Sequence, residues 1–327
     1  MTVELSPLGL GGAQLGNLYH AIDDETAEAT VRCAWAEGIR YFDTAPHYGL
    51  GLSERRLGKA LAAYPRAEYV LSTKVGRVLE PRAAAPGERD DQGFDVPATY
   101  RRRWDFSRDG VLRSLEDSLT RLGLDRIDIA YVHDPDDHFE EAVTGAFPAL
   151  LELREQGVVG AIGAGMNQTP MLTEFVRRFD LDHVLMAGRY TLLNQPALDD
   201  LLPQCLDRGV GVVAGGVFNA GILATAEPGG TYDYAAAPAE LVAKARRIAE
   251  ICRRHGVELP EAALALPAAH PAVVSVVVGA HDAGQVALNV RRAAAAVPAV
   301  LWTDLVDAGL LRADAVAGRP VTSGGPQ

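Results

Sequence analysis

Aromatic residues make up only 6% of this 327-residue chain, and there are three cysteines. Cys33, Cys205 and Cys252 are far apart and odd in number. They provide neither a disulfide framework nor a metal-ligand spacing, so a reducing cytoplasm is the expected setting. Positive charge is also in deficit. The 31 Lys and Arg stand against 43 Asp and Glu, a net charge of −12, which repels phosphate backbones and disfavours nucleic acid as a partner. No apolar run is long enough to span a bilayer, so no membrane contact is expected. The opening MTVELSPLGLGG lacks the basic-then-apolar order of a secretory signal.

What is present is a rhythm. Eight short apolar segments recur: SPLGLGG, GIRYFDT, YVLSTKV, IDIAYVH, VVGAIGAG, HVLMAGR, GVGVVAGG and AVVSVVVGA. Most are continuously apolar rather than alternating, as in parallel strands covered on both faces. Helical patterns fill the intervals. In DDETAEATVRCAWAEG, acids open the segment, Ala27, Val31, Ala34 and Trp35 share a face, and Gly38 stops it. SRDGVLRSLEDSLTRLG repeats the scheme with Val111, Leu115, Leu119 and Leu122. Eight strand–helix units predict a single-domain (β/α)8 TIM barrel over 1–315, with a flexible tail from 316 to 327. A doubly wound open sheet is the alternative. GLGGAQLGN does not place G-x-G-x-x-G in register for a dinucleotide-binding fold.

Two stretches break the rhythm, 77–104 after the third strand and 227–237 after the seventh. Both fall on the face where barrels build active sites, and loops of this length are either lids or disordered. Polar residues also gather on that face. The second strand ends in Asp43, with Tyr48 in its loop; the third ends in Lys74 and the fourth in His133. A free phenol, with a pKa of about 10, is a poor base at neutral pH. A nearby ammonium lowers that pKa, and a buried ammonium needs a carboxylate. Imidazole can orient a carbonyl oxygen beside the phenol. Each residue alone has a plainer role as a cap, surface charge or packing group, but four at successive strand ends form a proton-transfer device. Glu54, Arg55 and Arg56 are expected on a solvated helix face with local ion pairs.

FDTAPHYGLGLSERRLGKAL, STKVG and IDIAYVHDPD, in that order, resemble the aldo-keto reductase superfamily. The resemblance runs from about Leu8 to Asn289. It implies NAD(P)-dependent hydride transfer, with Tyr48 as general acid/base, Asp43 and Lys74 tuning it, and His133 orienting the substrate. Cofactor contacts are implied for Gly279, Gln285 and Asn289 in VVVGAHDAGQVALNV. Where NADP-using relatives carry a cation for the 2′-phosphate, this chain has Asp282, beside His281. An acid there suits a free ribose hydroxyl, so NAD is favoured over NADP, although Asp282 also suits a helix cap. Relatives with GVSNF after strand five correspond to GAGMNQ here, which puts Gly165 and Met166 in the Ser and Asn positions and Asn167 one residue later. Ala187 stands where a Gln is common. Gly215 and Gly216 replace an aromatic, with Phe218 close behind.

These departures look most like the aldose 1-dehydrogenase branch, with pyridoxal 4-dehydrogenases nearby. That branch implies oxidation of a sugar hemiacetal to a lactone, with Tyr19, His47 and Trp104 as substrate contacts. A general aldehyde or ketone reductase is an alternative. Two remoter readings are a redox-sensing regulatory subunit and a metal-dependent barrel hydrolase built on HDPDDH. No metal site is expected, because the first strand lacks a His-x-His pair and the HDPDDH spacing fits no metal motif. Oligomeric state is not legible.

Overall fold

The computed structural model describes residues 3–232 and 235–316. Eight parallel strands close into a barrel in sequential order. They are β1 (Leu8–Gly11), β2 (Tyr41–Asp43), β3 (Val70–Val75), β4 (Ile127–His133), β5 (Val159–Met166), β6 (His183–Ala187), β7 (Gly211–Gly215) and β8 (Val273–Gly279). Each lies within a segment picked out from sequence, except that β5 runs one residue further, to Met166. The open-sheet alternative fails because β1 pairs with both β2 and β8. Beyond Val316, the expected tail lies outside the described residues.

The strands are apolar on both sides because both sides are buried. Tyr41, Ile129, Tyr131, Ala161, Leu185, Val213 and Val277 fill the barrel interior, while Phe42, Leu71, Val75, Ala130 and Val132 pack outward under the helices. Alternation then dictates which residues reach the mouth. Asp43 follows Tyr41 inward, Lys74 follows Ser72, and His133 follows Tyr131. Register steps them by two residues per strand: Asp43 lies beside Ser72, with Lys74 two residues further on, and Lys74 lies beside Tyr131, with His133 two residues further on.

The helices follow their sequence signals. Asp24–Ala36 is capped by Asp23, whose carboxylate accepts the Thr26 N–H, and it buries Ala27, Val31 and Ala34. Arg108–Leu122 is capped by Ser107 and closed by Gly123 in the left-handed conformation. One expectation is overturned. Glu54, on the helix Leu52–Leu61, is 0% exposed. It accepts from the outward-pointing Thr73 hydroxyl at 2.8 Å and pairs with Arg121 at 2.5 Å. A charge in a helix-start motif reads as solvated until a partner arrives from 67 residues away. Arg56 is also drawn in, donating to the Leu15 and Ile22 carbonyls and to Asn17 Oδ1.

The stretch 77–104 is an antiparallel hairpin, Arg77–Pro81 with Tyr100–Trp104, joined by a long loop. Most of its acids and bases pair internally, most deeply Arg102 with Asp90 at 2.6 Å, while Arg77 reaches out to Asp134. The loop is pinned to the β1 loop, where the Tyr19 N–H donates to the Gly93 carbonyl and the Asp95 N–H to the Asn17 carbonyl. Within the second long stretch, Thr231–Tyr232 pairs with Ala235–Ala236.

Candidate active site

Lys74 Nζ is the hub at the barrel mouth. It donates to Asp43 Oδ2 at 2.7 Å, to the Thr44 carbonyl at 2.9 Å and to Tyr48 Oη at 3.0 Å. Asp43 Oδ1 accepts from Ser72 Oγ at 2.7 Å, and Ser72 meets Tyr41 Oη at 3.1 Å. A buried ion pair is tolerable only when its remaining valences are satisfied, as here. Burial opposes charge on Lys74, but Asp43 and Tyr48 outweigh it and raise its pKa. The charged ammonium is therefore favoured.

Tyr48 departs from expectation. Burial pushes its phenol above the ordinary 10, and Lys74 pulls it down without cancelling that rise. The expected lowering by the ammonium is present as one contribution but does not set the net direction. His133 crosses Tyr48 with ring centroids 6.0 Å apart and His47 at 5.7 Å. Burial, reinforced by Arg77 and Lys74, drives His133 well below its ordinary value. Burial, with Arg77, Arg102 and Lys74, pushes His47 down to about 2. Both imidazoles are neutral at pH 7.

Tyr48, Lys74, His133, His47 and Tyr19 line one cavity of about 420 Å³, with Gly165, Met166, Asn167, Leu185 and Ala187. The loop of the 77–104 hairpin adds Gln92, Gly93 and Phe94, and Asp134 follows His133 into the wall. Trp104 is not brought there. It lies at the hairpin base, opposite Arg77, and lines a separate cavity with Phe106 and His138. Its expected role at this cavity is corrected. Phe94 is the aromatic that reaches it, carried in by the loop.

A second groove of about 390 Å³ also touches Tyr48, and it extends past Gly11, Gly12, Gly215, Gly216, Phe218, Gly279, His281 and Gln285. Its floor is glycine by necessity at Gly216, where φ is 61° and a Cβ would stand 3.0 Å from the Gly188 amide nitrogen. His281 stacks on His20 at 3.8 Å, and its Nδ1 is buried without a partner. A nucleotide fits such a channel, with backbone access, an aromatic pair and an unpaired polar atom. Asp282 caps the helix Ala283–Ala293 through Gln285 N–H at 2.8 Å, on the rim. Asn289 is buried behind the groove, its amide near the Gly279 carbonyl.

Asp134, Arg77, Phe94 and Gln14 were not singled out from sequence. The first two were within reach, because each directly follows a strand-end motif, at HDPD and STKVGR. Phe94 is placed by the fold of the hairpin loop, and Gln14 by its packing against Gly279.

Comparison with known proteins decides the family. The aldo/keto reductase family model matches residues 7–302. The chain belongs to the aldo/keto reductase family. It is accordingly an NAD(P)-dependent oxidoreductase. It is 49% identical over 309 residues to a D-threo-aldose 1-dehydrogenase of Pseudomonas sp, covering 93% of this chain and 94% of that protein. A pyridoxal 4-dehydrogenase of Microbacterium luteolum is 39% identical, covering 94% and 95%. The holo form of aldo-keto reductase AKR11C1 from Bacillus halodurans superposes with a TM-score of 0.71 at 26% identity, covering 94% and 93%. Among the described residues, no helix is long and apolar enough to cross a membrane. No group of three or more His, Cys, Asp or Glu could hold a metal ion among them, and His138 of HDPDDH turns away to Glu141.

Proposed function

We propose that this reductase-family chain oxidises an aldose at C1 to its lactone, with NAD preferred over NADP. The observation that carries the chemistry is the bonded chain Asp43–Lys74–Tyr48, which ends at a cavity shared with neutral His133. Tyr48 takes the proton of the anomeric hydroxyl. Lys74 holds the phenolate that this requires, and Asp43 holds Lys74. His133 orients the reacting oxygen; being neutral it does not repel Lys74, and its lowered pKa makes it a poor competitor for the proton. The nicotinamide, when bound, supplies the hydride acceptor. Gly11, Gly12, Gly215, Gly216, Gly279, His281 and Gln285 hold the nucleotide along the second groove. The sugar reading is supported by the polar lining from Tyr19, His47, Gln92 and Asn167, and by likeness to the D-threo-aldose enzyme. The preference for NAD is supported by Asp282 on the rim, where a 2′-phosphate would meet negative charge.

The test is initial-rate reduction of NAD and NADP with a panel of aldoses and pyridoxal. NAD reduction by one or more aldoses is the expected result. Turnover of pyridoxal alone would overturn the substrate and keep the proton device. That second reading is favoured by Phe94, whose ring lies 6.0 Å from Tyr48 and tilts 32° against it, a wall suited to a flat ring.

A further inference from the structure

One residue in the cavity has no part in that proton transfer. Asp134 leaves β4 with φ at 42°, a left-handed conformation that few non-glycine residues adopt. Its N–H donates to the Gly165 carbonyl at 3.1 Å, so β5 holds the turn. The turn places the carboxylate in the wall of the substrate cavity, at the side of His133. Asp134 Oδ2 lies 2.5 Å from Arg77 Nη2 and 3.5 Å from His133 Nε2. No protein donor reaches its other oxygen among the described residues. Burial raises its pKa, and Arg77 works against that rise. Arg77 is itself held, its guanidinium 4.4 Å above the face of Trp104 at the hairpin base. Residues held in sparsely populated backbone conformations cluster at functional sites, and this one carries a charged group into a cavity wall.

The His133 imidazole lies 3.5 Å from the Arg77-bound oxygen of the carboxylate, so a neutral donor and a carboxylate whose second oxygen is open stand close enough to be spanned by adjacent oxygens of a vicinal pair. We propose that Asp134 accepts the hydroxyl on the carbon next to the reacting one, so that the enzyme selects 2-hydroxy aldehydes and their cyclic forms over 2-deoxy counterparts. This rests on the reading that Tyr48 and His133 hold the reacting oxygen. Arg77 is a positioning residue that acts through Asp134 and ties the hydroxyl-reading group to the hairpin. A site built around a substrate hydroxyl rejects the analogue lacking it, because the carboxylate is then left dry.

The test compares glycolaldehyde with acetaldehyde as substrates for reduction, and a parent aldose with its 2-deoxy form for oxidation. The readout is the ratio of kcat/KM within each pair. A wild-type ratio of about 10- to 100-fold for the hydroxylated member is expected, the range of one hydrogen bond to a charged group. The ratio should approach unity in Asp134→Asn and Asp134→Ser. Arg77→Lys should raise KM for glycolaldehyde more than it lowers kcat. A wild-type ratio near unity would overturn the inference. So would a ratio that survives in both Asp134 variants while the two rates fall together, which is the mark of a structural role. The aldehyde pair keeps the two claims apart. Loss of aldose oxidation with glycolaldehyde preference intact sinks the aldose reading alone, and the reverse sinks only the role of Asp134.

Discussion

The two sides of the barrel mouth are built on opposite plans. At β2 and β3, buried Asp43, Ser72 and Lys74 and the half-buried Tyr48 are joined by side-chain bonds of 2.7–3.0 Å. At β7 and β8, Gly215, Gly216 and Gly279 leave an open groove in which polar contacts come from the backbone and from His281 and Gln285. Moving a proton requires charges fixed in a dry environment, and fixing them requires every valence to be filled. Holding a long ligand requires space, which side chains would occupy. The first side is therefore rigid and intolerant, and the second is shaped by what is absent.

That contrast can be broken most sharply at its hub. Lys74→Met leaves Asp43 buried and unpaired, so stability should fall by about 3–5 kcal/mol, with turnover lost. Denaturant melts and initial rates read this together. Stability within 1 kcal/mol of wild type, roughly, would show that the Asp43 charge is not dependent on Lys74. Tyr48→Phe removes only the proposed proton carrier. It should retain nucleotide binding, seen by fluorescence titration, while kcat drops about 10²- to 10⁴-fold. Near-wild-type turnover would remove Tyr48 from the mechanism.

Acid should strike the same side. His47 is pushed down to about 2, and His133 is lowered too, so the unfolded chain binds protons that the folded one refuses. The stability they contribute is complete above the unfolded value of 6.5. It is lost as pH falls below that, at up to about 1.4 kcal/mol per pH unit for each group. Thermal melts from pH 7 to pH 5 should show the slope, and His47→Asn should flatten it. An unchanged slope would place the acid sensitivity elsewhere. The gentlest change belongs to the open side. Asp282→Arg should raise the NADP/NAD ratio of kcat/KM about tenfold by replacing repulsion with a phosphate partner. It also costs about 1 kcal/mol through the lost cap. An unchanged ratio would mean that the 2′-position lies away from the rim.

Legibility follows the same division. The proton side could be seen in sequence because its residues are chemically unusual where they stand. An acid, a lysine and a histidine at the ends of apolar strands are conspicuous, and period-two alternation points all three inward. Trp104 was misplaced because hairpin pairing, which puts it opposite Arg77, turns on a register that composition does not reveal. Glu54 was misread because its partners, Thr73 and Arg121, come from other elements. Asp282 could be seen as a cap, and the structure shows that cap.

By itself the sequence determined the eight-fold alternation of strand and helix, the ends of most elements, and the polar set at the mouth. Those are local properties of hydrophobic period, capping residues and chain order. Tertiary structure alone decided the net direction of the Tyr48 pKa, where burial outweighs the lysine, and the neutral state of His47 and His133. It also decided the burial of Glu54 and the aim of Asp134 into the cavity. Each of these depends on how much solvent a group loses and which distant charge replaces it, and neither quantity exists until the barrel closes.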